Sequence, residues 1–383
     1  MAQFLSIAAF CFGIPFVTYH IQALGIHDER EVLIWSAIFT GAAPITFCVA
    51  APFWGSLADR FGRKRMLIRA QVCAVAVLLG MGWAPDVLWL IVFRIGQGLF
   101  TGTVPAAQTL VAVSTPAQRH GLALGALSAA VFGGASFGVF VGGYSAEHFG
   151  YAASYAIGAG LALVAALIIA IGARERFVPP PPREADVRID RLAAIRPGMP
   201  LLILIAGTAI VMNIEQPVLP LLVQRLNGGI EGAAAIMGSL GAIGSIAAMI
   251  AGAVWGTLTD RIAPTRVATF CAVCAAIVCI PFALAERLGL HVLYVAKFAL
   301  AFLAAGLDPV FQVWLSKITA PERRGAVFGF ASTARSVGWL GGPLLATAIV
   351  LVGDLGTAYW VVGVGFLALI PLMAWAARRM QST

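Results

Sequence analysis

Charge is scarce in this chain. Only 11% of its 383 residues are Asp, Glu, Lys or Arg, under half the share of an ordinary soluble domain, which is about 25%. Cysteine is sparse and badly placed for chemistry: Cys11, Cys48, Cys73, Cys271, Cys274 and Cys279 all fall inside apolar runs. Cys271-x-x-Cys274 has the spacing of half a zinc or redox site, but no second Cys or His cluster accompanies it. Small buried hydrophobes are the better reading, and no metal or other cofactor is expected. The glycine rows Gly121, Gly125, Gly133, Gly134, Gly138 and Gly142, and Gly238, Gly241 and Gly244, lack the preceding strand and following Lys-Ser/Thr of a phosphate loop. That argues against a nucleotide-driven machine and favours close helix packing. No nucleophile–base pair or metal-ligand set stands out, so an enzyme is not expected.

What the chain has in plenty is apolar sequence. Hydrophobic residues make up 60%, mean hydropathy is +0.93, and apolar runs of about 20 residues, the length of a membrane-crossing helix, recur throughout. The fold class is therefore all-α integral membrane. Twelve spans are expected, at roughly 2–24, 32–54, 66–84, 88–112, 121–143, 153–172, 200–223, 233–255, 267–285, 291–315, 326–350 and 357–377. One long polar segment, 173–199, holds six Arg, four acids and the run Pro179–Pro182, which cannot be helix interior. It separates residues 1–172 from residues 200–383, two six-helix bundles. No signal peptide is evident. The basic flank usual before a first span is missing, which leaves a start upstream of Met1 open.

The net charge of +8 does not point to nucleic acid, because of where it sits. With the N-terminus inside, 19 of the 25 Lys and Arg fall in cytoplasmic segments, three (Arg30, Arg225, Arg287) in outer loops and three within spans. This positive-inside bias places both termini and the linker in the cytoplasm.

The halves repeat. Trp255-Gly-Thr-Leu-Thr-Asp260-Arg261 echoes Trp54-Gly-Ser-Leu-Ala-Asp59-Arg60 at an offset of 201 residues. Pro15 and Gln22 recur as Pro217 and Gln224, and Pro105 and Gln108 as Pro309 and Gln312. Two parallel repeats imply a pseudo-twofold axis along the membrane normal, with a binding site at the repeat interface near mid-depth.

Gly55-x-x-x-Asp59-Arg60-x-Gly62-Arg63-Lys64-Arg65 between spans 2 and 3 resembles the signature loop of the major facilitator superfamily. Arg94-x-x-Gln97-Gly98-x-x-x-Gly102 is similar to that family's second motif. The approach Pro52-Phe-Trp-Gly55 and the glycine-rich fifth span look like the twelve-span drug:proton antiporter branch, nearest to bacterial quinolone- or fosfomycin-type exporters. One departure matters. The branch has Gly-Pro in span 5, where this chain has Gly138-Val139; the second-half loop has also decayed, with Ala263-Pro264-Thr265 in place of Gly62-Arg63-Lys64.

The resemblance implies that spans 1, 4, 7 and 10 line a central cavity. Charges within a bilayer are costly and tend to act. Arg94, Glu215, Lys297 and Asp308 fall on those four spans, and Arg335 on span 11. Asp308 and Arg335 lie at similar depth, about 10–14 Å from the inner side, and are expected to pair, as a static bridge or one opened by a proton. Glu215 precedes Pro217, which frees a carbonyl one turn earlier and loosens the helix; it is the first candidate for proton coupling or cation binding, with a fixed pair to Lys297 or Arg94 as the alternative. His20, a residue that titrates near neutrality when unperturbed, is a further proton-coupling candidate or a packing residue. Tyr19, Arg94, Gln97, Gln108, Asn213, Gln216, Lys297, Phe311, Gln312 and Trp314 are candidate cavity residues, since aromatic faces with a few amides suit amphipathic drugs. Gly55, Asp59, Arg60, Gly62, Arg63 and Lys64 form the gating motif, in which the resemblance pairs Asp59 with Arg63 near the start of span 11.

The expectation is a proton-coupled exporter of amphipathic toxic compounds working by alternating access. It would be a monomer in the bacterial inner membrane, with a small-molecule substrate, protons and the lipid bilayer as partners and no nucleic acid. A proton-coupled importer of a sugar or organic acid stays open because of Val139, as does a non-transporting sensor or assembly factor.

Overall fold

The computed structural model describes residues 1–100, 107, 120–173, 198–318 and 324–381. Ten of its helices are long and apolar enough to cross a membrane. One of these contains two spans, because the helix His120–Gly172 is broken by Gly150 (φ 81°). The shorter apolar helix Val87–Phe100 supplies span 4. Twelve spans result among the described residues. Hydrocarbon cannot hydrogen-bond an exposed peptide group, so helices are the expected solution for such runs.

Span 1 is Ala2–Cys11, a 3-10 turn Ile14–Phe16 and Val17–Ala23. Span 2 is Glu29–Phe61, begun by Asp28, whose carboxylate accepts from the Glu31 N–H at 3.1 Å. Span 3 is Arg63–Gly82. Spans 5 and 6 run over 120–149 and 151–172. Span 7 is Met199–Asn213 and Glu215–Asn227, interrupted at Ile214. Spans 8 and 9 are Ala233–Arg261 and Pro264–Ala283, spans 10 and 11 Leu290–Ile318 and Arg324–Val352, and span 12 Leu355–Gln381. The interruptions in spans 1 and 7 fall at equivalent places, just before Pro15 and Pro217, where proline withholds a donor.

By its contacts the chain forms two compact units. The first is Met1–Arg183 with Val223–Ile246, the second Glu184–Leu222 with Ala247–Thr383. Spans 1–6 thus gather the end of span 7 and the first half of span 8, whatever the division of the chain into linear halves.

Inside each unit the same pairings recur: span 1 on span 5 and span 7 on span 11, then spans 3 and 4 with one another and spans 9 and 10 likewise, and span 9 on span 12. Glycine makes the first of these pairings close. A Cβ on Gly134, Gly138 or Gly142 would meet the backbone of Phe4, Ala8 or Phe12, each a turn further along span 1. On span 11, Gly338 and Gly342 stand in the same way against Ala209 and Asn213 of span 7. Without a hydrophobic drive between helices in lipid, such close approach is what holds them. The outward faces are apolar; Val72, Trp89, Val295 and Val364 are exposed, as a lipid-facing surface requires.

Gly138→Ala and Gly338→Ala should each lower the thermal midpoint in detergent, by an overpacking cost of about 1–3 kcal/mol. Gly160→Ala, where nothing lies within 4 Å, should leave it unchanged or raise it, since alanine favours a helix by about 1 kcal/mol.

Candidate functional site

Glu215 opens the second segment of span 7, immediately after the break at Ile214. Its Oε1 accepts from Lys297 Nζ of span 10, with side chains 17% and 14% exposed respectively. Oε2 is buried and has no partner. The break is stitched by amides: Asn213 Nδ2 donates to the Ala209 carbonyl at 2.7 Å, and Gln216 Nε2 donates to Asn213 Oδ1 at 2.8 Å. Of the two cations considered for Glu215, the structure brings it Lys297.

A second carboxylate of the same unit is more exposed. Asp308 Oδ2 accepts from Arg335 Nη1 at 3.0 Å and from Gln312 Nε2 at 2.6 Å, with the bridge about one-third exposed. Phe311 beside it is fully buried, and Trp314 is half-buried.

Arg94 lies in the first unit, 4% exposed. Its Nε donates to the Phe39 carbonyl at 3.2 Å, and its Nη1 donates to Gln97 Oε1. The Phe39 and Phe10 rings flank the guanidinium at 4.5 and 5.5 Å. Among the described residues no carboxylate joins it, so backbone, amide and aromatic faces carry the whole task of solvating a buried cation. Tyr19 is fully buried; His20 stacks on Tyr151 at 4.9 Å and leans on Tyr155 at 5.6 Å, with Nδ1 unpartnered.

The loop after span 2 turns at Gly62, whose φ of 91° suits a residue without a Cβ. Ala263 at the equivalent place turns with φ −56° and needs no glycine. Arg63 begins span 3, and Lys64 Nζ donates to the Ala170 carbonyl at 2.7 Å, near the negative end of span 6. The side chains of Gly55, Asp59 and Arg60, and the whole of Gln108, lie outside the described residues.

Several residues escaped the sequence reading. Trp54 and Trp255, noticed only as markers of duplication, do the same work in each repeat. The indole N–H donates to the Leu99 carbonyl of span 4 at 2.6 Å in one and to the Phe302 carbonyl of span 10 at 2.9 Å in the other. Arg69 covers the Trp54 ring at 3.3 Å. Gln22 and Gln224, repeat equivalents, exchange reciprocal amide bonds of 2.8 and 3.0 Å. Arg225 forks onto Glu29 at 2.7 and 2.8 Å, and Glu147 accepts from the Gly232 N–H at 2.6 Å where span 8 begins. Tyr155 and Tyr359 are separated as Pro105 is from Pro309, a signal that could have been read.

The model of the Major Facilitator Superfamily matches residues 1–296 and again 232–383. The chain belongs to the major facilitator superfamily. It is 30% identical over 352 residues to a protein named multidrug resistance protein MdtG of Serratia proteamaculans, covering 90% of this chain and 84% of the relative. It is also 30% identical over 376 residues to the MdtG of a Rahnella species, covering 93% and 90%. Among solved structures, the nucleoside transporter NupG superposes with a TM-score of 0.76 at 14% identity, covering 98% of this chain and 97% of that one. A D-xylose-proton symporter gives 0.75 at 16%, covering 97% and 96%. At these identities the superpositions speak for the fold alone. As a superfamily member the chain is a multi-pass membrane transporter rather than an enzyme.

Lys297→Met would leave the half-buried Glu215 carboxylate without its cation, so the thermal midpoint should fall, by less than the ~3–5 kcal/mol that breaking a fully buried pair costs. Adding Glu215→Gln should restore most of the loss.

Proposed function

We propose that this chain exports amphipathic toxic compounds from a bacterial cell in exchange for protons, by alternating access. It acts as a monomer in the inner membrane with both termini in the cytoplasm. The observation that carries the reading is the half-buried Glu215–Lys297 pair, which ties span 10 to span 7 beside the break in span 7. A low-dielectric site disfavours an uncompensated charge of either sign. Adding a proton to Glu215 therefore removes the charge that holds Lys297, and the interrupted span 7 has the freedom to respond. Export of drugs is supported by the MdtG relatives, whose name is that of a multidrug resistance protein. No specific observation favours the importer or the sensor.

Glu215 is the first carrier of the coupled proton. Asp308, whose bridge with Arg335 is about one-third exposed, is the second; His20, stacked against Tyr151 and Tyr155, is the third. Tyr19, Arg94, Gln97, Gln108, Asn213, Gln216, Lys297, Phe311, Gln312 and Trp314 remain the residues assigned to the substrate path. The lengthwise division at 172 and 200 gives the two bodies that rock. Asp59, with Gly55, Arg60, Gly62, Arg63 and Lys64, forms the cytoplasmic gate.

In inverted vesicles, Glu215→Gln should abolish proton-driven drug accumulation; undiminished accumulation removes Glu215 from the mechanism. Asp59→Asn should reduce transport at unchanged expression. Normal transport by that variant would reduce the loop to a topology signal.

A further inference from the structure

Gln22 and Gln224 are the same position of the two repeats, in the register that relates Pro15 to Pro217. They meet one another: each amide donates to the other, at 2.8 and 3.0 Å, and Gln22 is 6% exposed. Under a twofold relation a position touches its own equivalent only where the axis passes. The axis that relates the repeats is also the one along which a path between them runs. The amide pair therefore stands across that path. Gln22 is one residue before the end of span 1 and Gln224 three before the end of span 7, at the end of the molecule that is outer in the orientation proposed above.

The surroundings of the pair hold the same end together. Glu29, where span 2 begins, takes the fork of Arg225 at 2.7 and 2.8 Å. Glu147, near the end of span 5, accepts from the Gly232 N–H just before span 8 begins. Spans 2 and 8 are repeat equivalents, so the two clamps flank the axis on opposite sides. Deeper along spans 5 and 8, a Cβ on Gly143 would meet the backbone of Ala234 and Gly238, and Ser136 Oγ donates to the Ala242 carbonyl at 3.2 Å. These ties are why the first compact unit takes Val223–Ile246 along with the first six spans, against the linear order of the chain. The rocking bodies proposed above divide at 172 and 200. Each of these contacts joins one body to the other and has to part when the outer end opens.

The clamps and the amide pair differ in kind. Glu29 and Arg225 are each 42% exposed, and an ion pair so open to water contributes little. The two amides satisfy one another where water is largely shut out, and each recovers water as a partner on parting. We propose that Gln22 and Gln224 form the outer barrier of the transport path, the pair whose separation opens it to the outside. The pair is uncharged and has no proton to gain or lose, so the response to protons comes from elsewhere in the molecule. The inference rests on the alternating-access reading above and names the contact that closes its outer end.

The test reads that end directly. Pro85→Cys and Arg287→Cys place spin labels in the exposed loops between spans 3 and 4 and spans 9 and 10. In the full-length chain, freed of its own cysteines and reconstituted in liposomes, pulsed dipolar spectroscopy then reports how far apart the labels stand. Gln22→Ala and Gln224→Ala each leave one amide unpartnered only while the end is closed. Each should raise the ratio of long to short distances by about two- to tenfold, the worth of one hydrogen bond. In a cysteine-free chain without the labels, Gln22→Cys and Gln224→Cys together, joined by a short bis-methanethiosulfonate, should stop drug accumulation in inverted vesicles, and reduction should restore it. An unchanged distance ratio in both alanine variants overturns the barrier, as does cross-linked protein that transports at the rate of the reduced form. Shifted ratios in a protein whose parent accumulates no drug leave the barrier standing and overturn the export reading instead.

Discussion

Hydrocarbon offers no hydrogen-bond partner, and the rest of this molecule answers to that constraint. The backbone satisfies itself by coiling into helices. Hydroxyls inside the spans turn back on their own helix: Thr40 donates to the Ser36 carbonyl at 2.8 Å, Thr257 to that of Ala253 at 2.9 Å and Thr347 to that of Pro343 at 3.0 Å. The paired indoles of Trp54 and Trp255 reach carbonyls on a neighbouring span. The charges follow the same rule with more at stake. Lys297 finds Glu215 and Arg335 finds Asp308, while Arg94 is solvated by a carbonyl, an amide and two rings. Polar atoms still unpartnered in so strict an environment, such as Glu215 Oε2, are where chemistry is to be sought.

Duplication gave the two repeats one framework and left them different chemistry. Close span 1–span 5 and span 7–span 11 contacts, the broken first helix of each repeat and the indole ties are common to both. The ionisable content is not. Where span 7 has Glu215, span 1 has Gly13, and the cation Arg94 is accordingly met by aromatic and amide groups. The first repeat has kept its Gly62 turn, while its counterpart Ala263 turns without a left-handed residue. One repeat retains the loop motif nearly complete; the other holds the membrane-embedded carboxylates. A transporter needs both a gate and a titrating group, and here duplication allowed them to specialise apart.

Val139 illustrates how a departure from a family pattern is resolved by packing. In sequence it is only a missing proline. In the first unit its Cγ1 fills the space that a side chain on Gly241 of span 8 would take, and Gly143 meets the backbone of Gly238. The residue is thus one half of a knob-and-groove contact whose other half is glycine, an account of its presence that makes no reference to the direction of transport.

Membrane insertion, the number of spans and the repeat were legible from sequence alone. They rest on quantities local to the chain: apolar run length, the distribution of Arg and Lys, and motifs at constant offset. The glycine rows were legible as packing surfaces for the same reason, since a residue's size is known without its neighbours. Pairing was legible only in part: equal depth pointed Asp308 to Arg335, and the structure makes that bridge at 3.0 Å. Glu215 had two candidate cations at similar depth, and only the placement of spans 7 and 10 in one unit decided for Lys297. That Tyr155 and Tyr359 are interior residues with idle hydroxyls, or that Gln22 meets Gln224, depends on helix rotation, which a run that is apolar on every face does not encode. Sequence determined that this chain lives in a bilayer and transports, and that Asp308 and Arg335 stand at one depth; tertiary structure decided which cation Glu215 takes, because in lipid a charge takes the partner that packing brings within reach.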